Sequence, residues 1–184
     1  MSTTKLPEGI QLERVEEFAL TNLQHQHIQQ LLKMAFPGYP DRTFYRQLPD
    51  FRYLGYQEGH LMAHMAVEHR LMHNAGQVYP VFGVIDLCVD PLFQRRRIAS
   101  YLLNQLSALG QAHQIDFLVL LASQHQLYLD NGFQLVSNPC VWMMISGEQS
   151  MGLTRRSVKH SLMVKPLGDK HWKEGLVDFL GPIF

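Results

Sequence analysis

Apolar residues recur at helical spacing from Leu23 through Ile28, Leu31 and Leu32 to Phe36, which predicts an amphipathic helix over TNLQHQHIQQLLKMAF. FPGYPD follows, and its two prolines and glycine end that helix. TFYRQLP predicts a second, short helix. FRYLGYQ and HLMAHMAVEHRLM, separated by Glu58 and Gly59, read as the two strands of a hairpin. Asn74, Ala75 and Gly76 make the next turn. VYPVFGVIDLCV, with its β-branched and aromatic residues, then reads as a strand that ends at Val89.

After Asp90 and Pro91 the period changes. Ile98, Leu102, Leu106 and Leu109 return every three or four residues and predict a helix over RIASYLLNQLSALGQAH. DFLVLLAS is almost wholly apolar and suits a strand covered on both faces. QHQLYLDNG predicts a brief helix stopped by Gly132, and FQLV, CVWMMIS and HSLMVKPL complete the strands. Helices first, antiparallel strands next and a strand, helix, strand unit in the centre place the chain in the α+β class with a mixed sheet. No internal repeat, low-complexity segment or Pro/Gly/Ser-rich linker divides it, so residues 1–184 read as one domain.

Composition narrows the function. An apolar fraction of 46% in 184 residues is ample for a packed core. Sixteen basic residues balance sixteen acidic ones, so no overall field holds the chain on nucleic acid or on an anionic membrane, and any charged function must be local. MSTTKLPEGIQLERVEEF carries acids and lacks the apolar segment of a signal peptide, and no apolar run is long enough to span a bilayer; a cytoplasmic protein is expected. Cys88 and Cys140 lie far apart inside apolar stretches and read as buried thiols. Ten histidines, His60 and His64 among them, are scattered without a HExxH helix or a cysteine pair, so no metal is expected. Arg155, Arg156, Lys159 and His160 read as a solvated basic turn, with contact to an outer phosphate or an acidic substrate as the other reading.

The local charge that stands out is Arg95, Arg96 and Arg97, where the strand ending at Val89 hands over to a helix. Unpaired N–H groups leave a helix N-terminus with roughly half a positive charge, so each cation there costs about 0.3–1 kcal/mol. Two readings are open. In one, the arginines extend into water from a solvated turn. In the other, an anion sits on the backbone N–H groups with guanidinium groups beside it. A strand leading straight into the turn favours the second, because ligands of such sheets gather at the carboxyl ends of strands. Neither GxGxxG nor GxxxxGK is present.

VIDLCVDPLFQRRRIASYLL resembles motif A of the GNAT superfamily of acyl-CoA-dependent N-acyltransferases, in which a strand ends in a Val-x-Pro turn and leads to Gln/Arg-x-x-Gly-x-Gly/Ala. Val89, Pro91, Gln94, Ile98 and Ala99 match, and Arg97 stands at the first glycine of the pattern. LYLDNGFQLV is similar to motif B, Tyr-x-x-x-Gly-Phe, through Tyr128, Gly132 and Phe133. The resemblance runs from about Phe51 to Ile145. It implies an α+β fold with a mixed, mostly antiparallel central sheet flanked by helices on both faces.

The resemblance further implies acetyl-CoA as co-substrate. Its pantetheine would lie along the backbone of Leu87, Cys88 and Val89. Its pyrophosphate would rest on the turn formed by Arg95, Arg96, Arg97, Ile98, Ala99 and Ser100, with Gln94 beside it. Tyr128 holds the family's position for the acid that protonates the departing thiolate, and a backbone N–H near Val89 would stabilise the oxyanion. Tyr128 is equally of a kind that packs its ring in a core. Attack by an amine also needs a base. Asp86, the only carboxylate in VIDLCV, is the candidate, with a structural carboxylate as the other reading; Glu68 and His69 follow it. FPGYPDRTFYRQLPDF falls where the superfamily places its acceptor loop, and an ordinary connection is its other reading. The implied function is transfer of an acetyl or other short acyl group to a primary amine of a small molecule, by direct attack in a ternary complex. The alternative is an inactive GNAT-like module that senses acyl-CoA. Neither nucleic acid nor membrane is an expected partner, and a homodimer is left open.

Overall fold

The computed structural model describes residues 5–184. The four residues before them, part of the stretch that lacks a signal-peptide core, lie outside this description. The chain forms two compact units, one made of the chain up to Glu68 together with Ile85–Gln105, the other of His69–Val84 and Leu106–Phe184.

The first unit opens with strand β1 (Gln11–Glu16), which sequence patterning does not predict because it alternates weakly and carries three charges. Helix α1 (Asn22–Ala35) follows. A capping box starts it: the Gln24 N–H donates to Thr21 Oγ1 at 3.2 Å, and the Thr21 N–H donates to Gln24 Oε1 at 2.9 Å. Its buried face is Ile28, Leu31 and Leu32, while Leu23, expected on that face, lies exposed in the first turn. The expected short helix over residues 43–49 does not form. The Arg42 guanidinium donates to the Phe44 and Tyr45 carbonyls at 3.0 and 2.7 Å, which takes up acceptors a helix would need, and the segment stays a series of bends.

Strand β2 (Phe51–Gln57) pairs antiparallel with β1 on one edge and with β3 (His60–Asn74) on the other, from Phe51↔Val67 to Gln57↔His60. Glu58 and Gly59 make the turn at φ 50° and 80°. Strand β4 (Gln77–Val89) ends in this unit, and α2 (Ile98–Ala112) begins in it. Ile28, Leu31, Leu32, Leu54, Leu61 and Cys88 form its core, with Val15, Phe36, Tyr39 and Tyr56 packed around them.

In the second unit β4 pairs with β5 (Phe117–Leu121) in parallel through Val81↔Phe117, Phe82↔Leu118 and Gly83↔Val119. A short helix, α3 (Gln126–Asp130), precedes Gly132, whose φ of 85° ends it as the sequence predicts. β6 (Gln134–Leu135) and β5 both pair antiparallel with β9 (Leu162–Pro166). β7 (Pro139–Ser146) pairs antiparallel with β8 (Gln149–Ser157) and in parallel with β10 (Val177–Pro182), which is antiparallel to β3.

Residues 149–157 are therefore an edge strand, and Arg155 and Arg156 sit on it rather than in a solvated turn. Eight of its nine residues are exposed, so it carries no apolar alternation to read. Short β10, with its glycine and proline, was equally silent in the sequence. The core of this unit is Met72, Tyr79, Val81, Phe117, Val119, Cys140, Leu162, Val164, Val177, Phe179 and Ile183. At Gly83 an added Cβ would lie 2.0 Å from the Phe184 ring, so any larger residue there requires that ring to move. The fold is the expected α+β class with a mixed, mostly antiparallel sheet.

Candidate active site

The passage from β4 to α2 is built by short-range bonds. Asp90 is buried; its N–H donates to the Met62 carbonyl at 2.8 Å, and its Oδ1 accepts from the Leu92 N–H at 2.9 Å, which caps a 3₁₀ turn over Pro91–Phe93. Asp90 Oδ2 meets His60 Nε2 at 2.8 Å. Burial opposes ionisation of Asp90, but the bonds from His60 and the Leu92 N–H, with the charge of His60, hold its carboxyl below the usual carboxylate range. Gln94 turns back on the strand, its Nε2 donating to the Val89 carbonyl at 3.1 Å. Its side chain thus closes the turn.

Arg95, Arg96 and Arg97 are exposed and form no ion pair among the described residues. Arg96 lies over the Phe93 ring, 5.2 Å from its centroid. Arg95 and Arg97 have φ of 62° and 61°. The backbone at Arg97 therefore keeps the conformation that glycine would adopt freely, although the residue is not glycine. Two left-handed residues within three positions turn the backbone sharply just before α2, which begins one residue after Arg97, and the free N–H groups at the start of a helix are the kind of site that takes up anions. Ile98 is in the core, so it offers the site only its backbone, while Ala99 and Ser100 are half-buried. A left-handed arginine costs about 1–2 kcal/mol. Arg97→Gly accordingly stabilises the protein by about 1 kcal/mol, seen as a melting temperature roughly 2–4 °C higher, whereas Arg97→Ala gives no such gain.

Upstream, Asp86 interrupts β4 with φ 50°. Its carboxylate accepts a hydrogen bond from the Tyr39 hydroxyl, and Tyr39 meets the Tyr45 ring edge-on at 5.8 Å. Burial pushes the Asp86 carboxyl above the usual range, against the bond from Tyr39 and the charges of Arg52 and Arg46. Burial and the Asp86 charge together push the Tyr39 phenol up, so it remains a donor. The sequence marks Tyr39 only as part of the candidate acceptor loop, since an aromatic in a proline-rich loop carries no periodic signal of its own.

Beneath Asp86 lies a polar chain inside an apolar core. Arg52 is fully buried; its Nε and Nη2 donate to the two Glu17 oxygens at 2.5 and 3.1 Å, and its Nη1 donates to His64 Nε2 at 2.9 Å. His64 Nδ1 donates to the Asp86 carbonyl at 2.9 Å. Burial, with the Arg52 charge, lowers the His64 pKa to about 3. The unfolded chain takes up this proton near pH 6.5 and the folded chain does not until about pH 3. The contribution of His64 to stability is therefore fullest above pH 6.5 and falls by about 1.4 kcal/mol per pH unit below it. Denaturant melts between pH 4 and 7 should show that slope, and His64→Gln should flatten it.

Of the remaining candidates, Leu87 and Val89 are half-buried and Cys88 is in the core. Cys88 and Cys140 are both buried, unbridged thiols, as the sequence suggested. Burial and the Asp86 charge raise the Cys88 thiol, and burial raises that of Cys140 to about 11. Tyr128 lies in the second unit on α3, half-buried, with its ring edge-on to Phe133 at 5.7 Å; its carbonyl accepts from the Phe133 N–H at 3.0 Å. Glu68 is half-buried and His69 exposed, its ring 5.5 Å from that of Phe82.

A family model described as an acetyltransferase (GNAT) domain matches residues 19–136, well over half of the chain and inclusive of both motifs. The chain belongs to the GNAT acetyltransferase family. Solved structures share the GNAT fold with it. YhbS from Escherichia coli, in complex with CoA, aligns at a TM-score of 0.66 and 15% identity over 95% of this chain and 92% of its own. Escherichia coli ElaA gives 0.58 and 14%, covering 85% and 99%. The ribosomal-protein-S18-alanine N-acetyltransferase of Escherichia coli gives 0.56 and 14%, covering 88% and 97%. No curated protein matches the sequence. GNAT membership makes acyl transfer from acyl-CoA the general chemistry of the chain. No helix among the described residues is long and apolar enough to cross a membrane.

Proposed function

We propose that this GNAT protein transfers an acetyl or other short acyl group from acyl-CoA to a primary amine of a small molecule, by direct attack within a ternary complex. The observation that carries this reading is the turn from Gln94 to Ser100, where left-handed Arg95 and Arg97 and the start of α2 gather N–H groups beside three arginines without acidic partners among the described residues. Such an arrangement fits a diphosphate better than it fits water. YhbS, with which the chain shares its fold, is solved with CoA.

In this reading the backbone of Leu87, Cys88 and Val89 pairs with pantetheine, which explains why their side chains are merely apolar. The ladder of β4 with β5 covers Val81, Phe82 and Gly83 only, so these residues lie beyond it. Arg95, Arg96, Arg97, Ile98, Ala99 and Ser100 hold the pyrophosphate, and Gln94 keeps the turn closed on β4. Asp86 takes the proton of the acceptor ammonium, a task suited to a carboxyl raised by burial. Tyr128 protonates the leaving thiolate.

Thiol release from acetyl-CoA across an amine library tests the proposal. Release with at least one primary amine supports it, while CoA binding without release with any amine favours the sensing module. With the acceptor in hand, Tyr128→Phe should lower kcat about 10- to 100-fold and leave CoA affinity intact.

A further inference from the structure

Two features of the first unit meet at one peptide bond. Asp86 holds φ 50° within β4, a conformation that costs an ordinary residue about 1–3 kcal/mol and lasts only where its surroundings enforce it. At that residue the carbonyl is held by His64 Nδ1 at 2.9 Å, while the carboxylate accepts from the Tyr39 hydroxyl. His64 has no exposed surface, and each partner in its chain has a single possible role. Arginine has no acceptor, so His64 Nε2 must accept from Arg52; a carbonyl has no donor, so Nδ1 must carry the proton. One tautomer remains, and Glu17 anchors the far end through both of its oxygens.

We propose that His64 is a positioning residue for acyl transfer, one that turns the Asp86–Leu87 peptide so that the Leu87 N–H becomes the donor to the oxyanion. The inference rests on the acyl-transfer reading above. In a trans peptide the C=O and N–H point in opposite directions, and no peptide among the described residues is cis. With the carbonyl committed to the buried imidazole, the Leu87 N–H is aimed away from it. When the amine nitrogen attacks the thioester carbon, the C=O electron pair moves onto oxygen and that N–H receives it. Collapse restores C=O and breaks the C–S bond; Asp86, having passed the ammonium proton to solvent, takes the second nitrogen proton, and Tyr128 protonates the thiolate and is reprotonated from solvent. Oxyanion donors act by being fixed before the reaction, which a histidine locked in one tautomer achieves.

Two substitutions separate the bonds of His64. In His64→Gln the Oε1 replaces Nε2 as acceptor for Arg52 and the donor to Asp86 is lost. In His64→Asn the amide nitrogen replaces Nδ1 as donor and the acceptor is lost. Thiol release by the whole chain with saturating amine should show His64→Gln reduced in kcat by about 30-fold or more, with KM for acetyl-CoA within about twofold; His64→Asn should stay within about fivefold of wild type. Unchanged kcat in His64→Gln, an equal fall in both variants, or a loss confined to KM overturns the inference. Wild-type turnover beside an unaffected Gln variant sinks the inference alone, whereas a wild type that releases no thiol with any amine removes the acyl-transfer reading and this inference with it. Should His64→Gln fail to fold, the wild type supplies the second measurement: on adding acetyl-CoA the Leu87 amide proton resonance should move downfield, and an unmoved resonance overturns the assignment.

Discussion

Replacing Arg95, Arg96 and Arg97 together by glutamate should raise the Kd for coenzyme A about 100-fold or more while leaving the melting temperature nearly unchanged. Each exposed guanidinium beside a phosphate contributes about 1 kcal/mol, so losing three removes about 3 kcal/mol, and the introduced carboxylates add repulsion. The same groups are exposed and carry no ion pair among the described residues, so the fold does not depend on them. Titration calorimetry at two ionic strengths checks both parts. The wild-type affinity should weaken with salt and the triple variant should show a smaller dependence. A variant that binds as tightly as the wild type would leave the left-handed arginines without a ligand-based reason.

Glu17→Ala is expected to be the most destabilising single change in the first unit. It strips the fully buried Arg52 of its only ion-pair partner among the described residues, and an arginine cannot escape by losing its proton. An uncompensated buried charge costs about 3–5 kcal/mol. For a chain of this length that corresponds to roughly 10 °C in melting temperature. Replacing both partners, as Glu17→Gln with Arg52→Met, should lose less than Glu17→Ala alone, because no charge is then stranded. Thermal melts of the two variants decide it; a double variant that melts lower than Glu17→Ala would show that the pair acts chiefly through packing.

How much was legible in the sequence follows from the length scale of each signal. α1, α2 and the hairpin of β2 with β3 repeat an apolar face over several turns or alternate pairs, so their positions could be read. β1, β8 and β10 could not: they are short or exposed on both faces, and only pairing with a neighbour makes them strands. The arginine turn was legible as an electrostatic anomaly, and the motif resemblance gave it a chemistry, but its left-handed backbone was hidden because nothing in an arginine side chain signals φ near 60°. The chain Glu17, Arg52, His64 and Asp86 lay beyond reach for a different reason. Its members are 12 to 35 residues apart, and only the antiparallel register of β2 and β3, which sets Arg52 opposite Ala66 and Leu54 opposite His64, brings the cation and the imidazole together. A lone arginine in FRYLGYQ was the available hint, since a charge inside an apolar strand requires a buried partner.

Strand β8 has a consequence for handling the protein. Among the described residues it pairs with β7 alone, so its other side presents main-chain groups not used in the sheet, with Leu153 and Met151 standing in solvent nearby. Such a margin invites identical molecules to add end upon end in concentrated solution. The neighbouring charges of Arg155 and Arg156 and the kink at Gly152, with φ 94°, guard against this. Neutralising those two arginines would be felt first as precipitation on storage, before any loss of catalytic capacity.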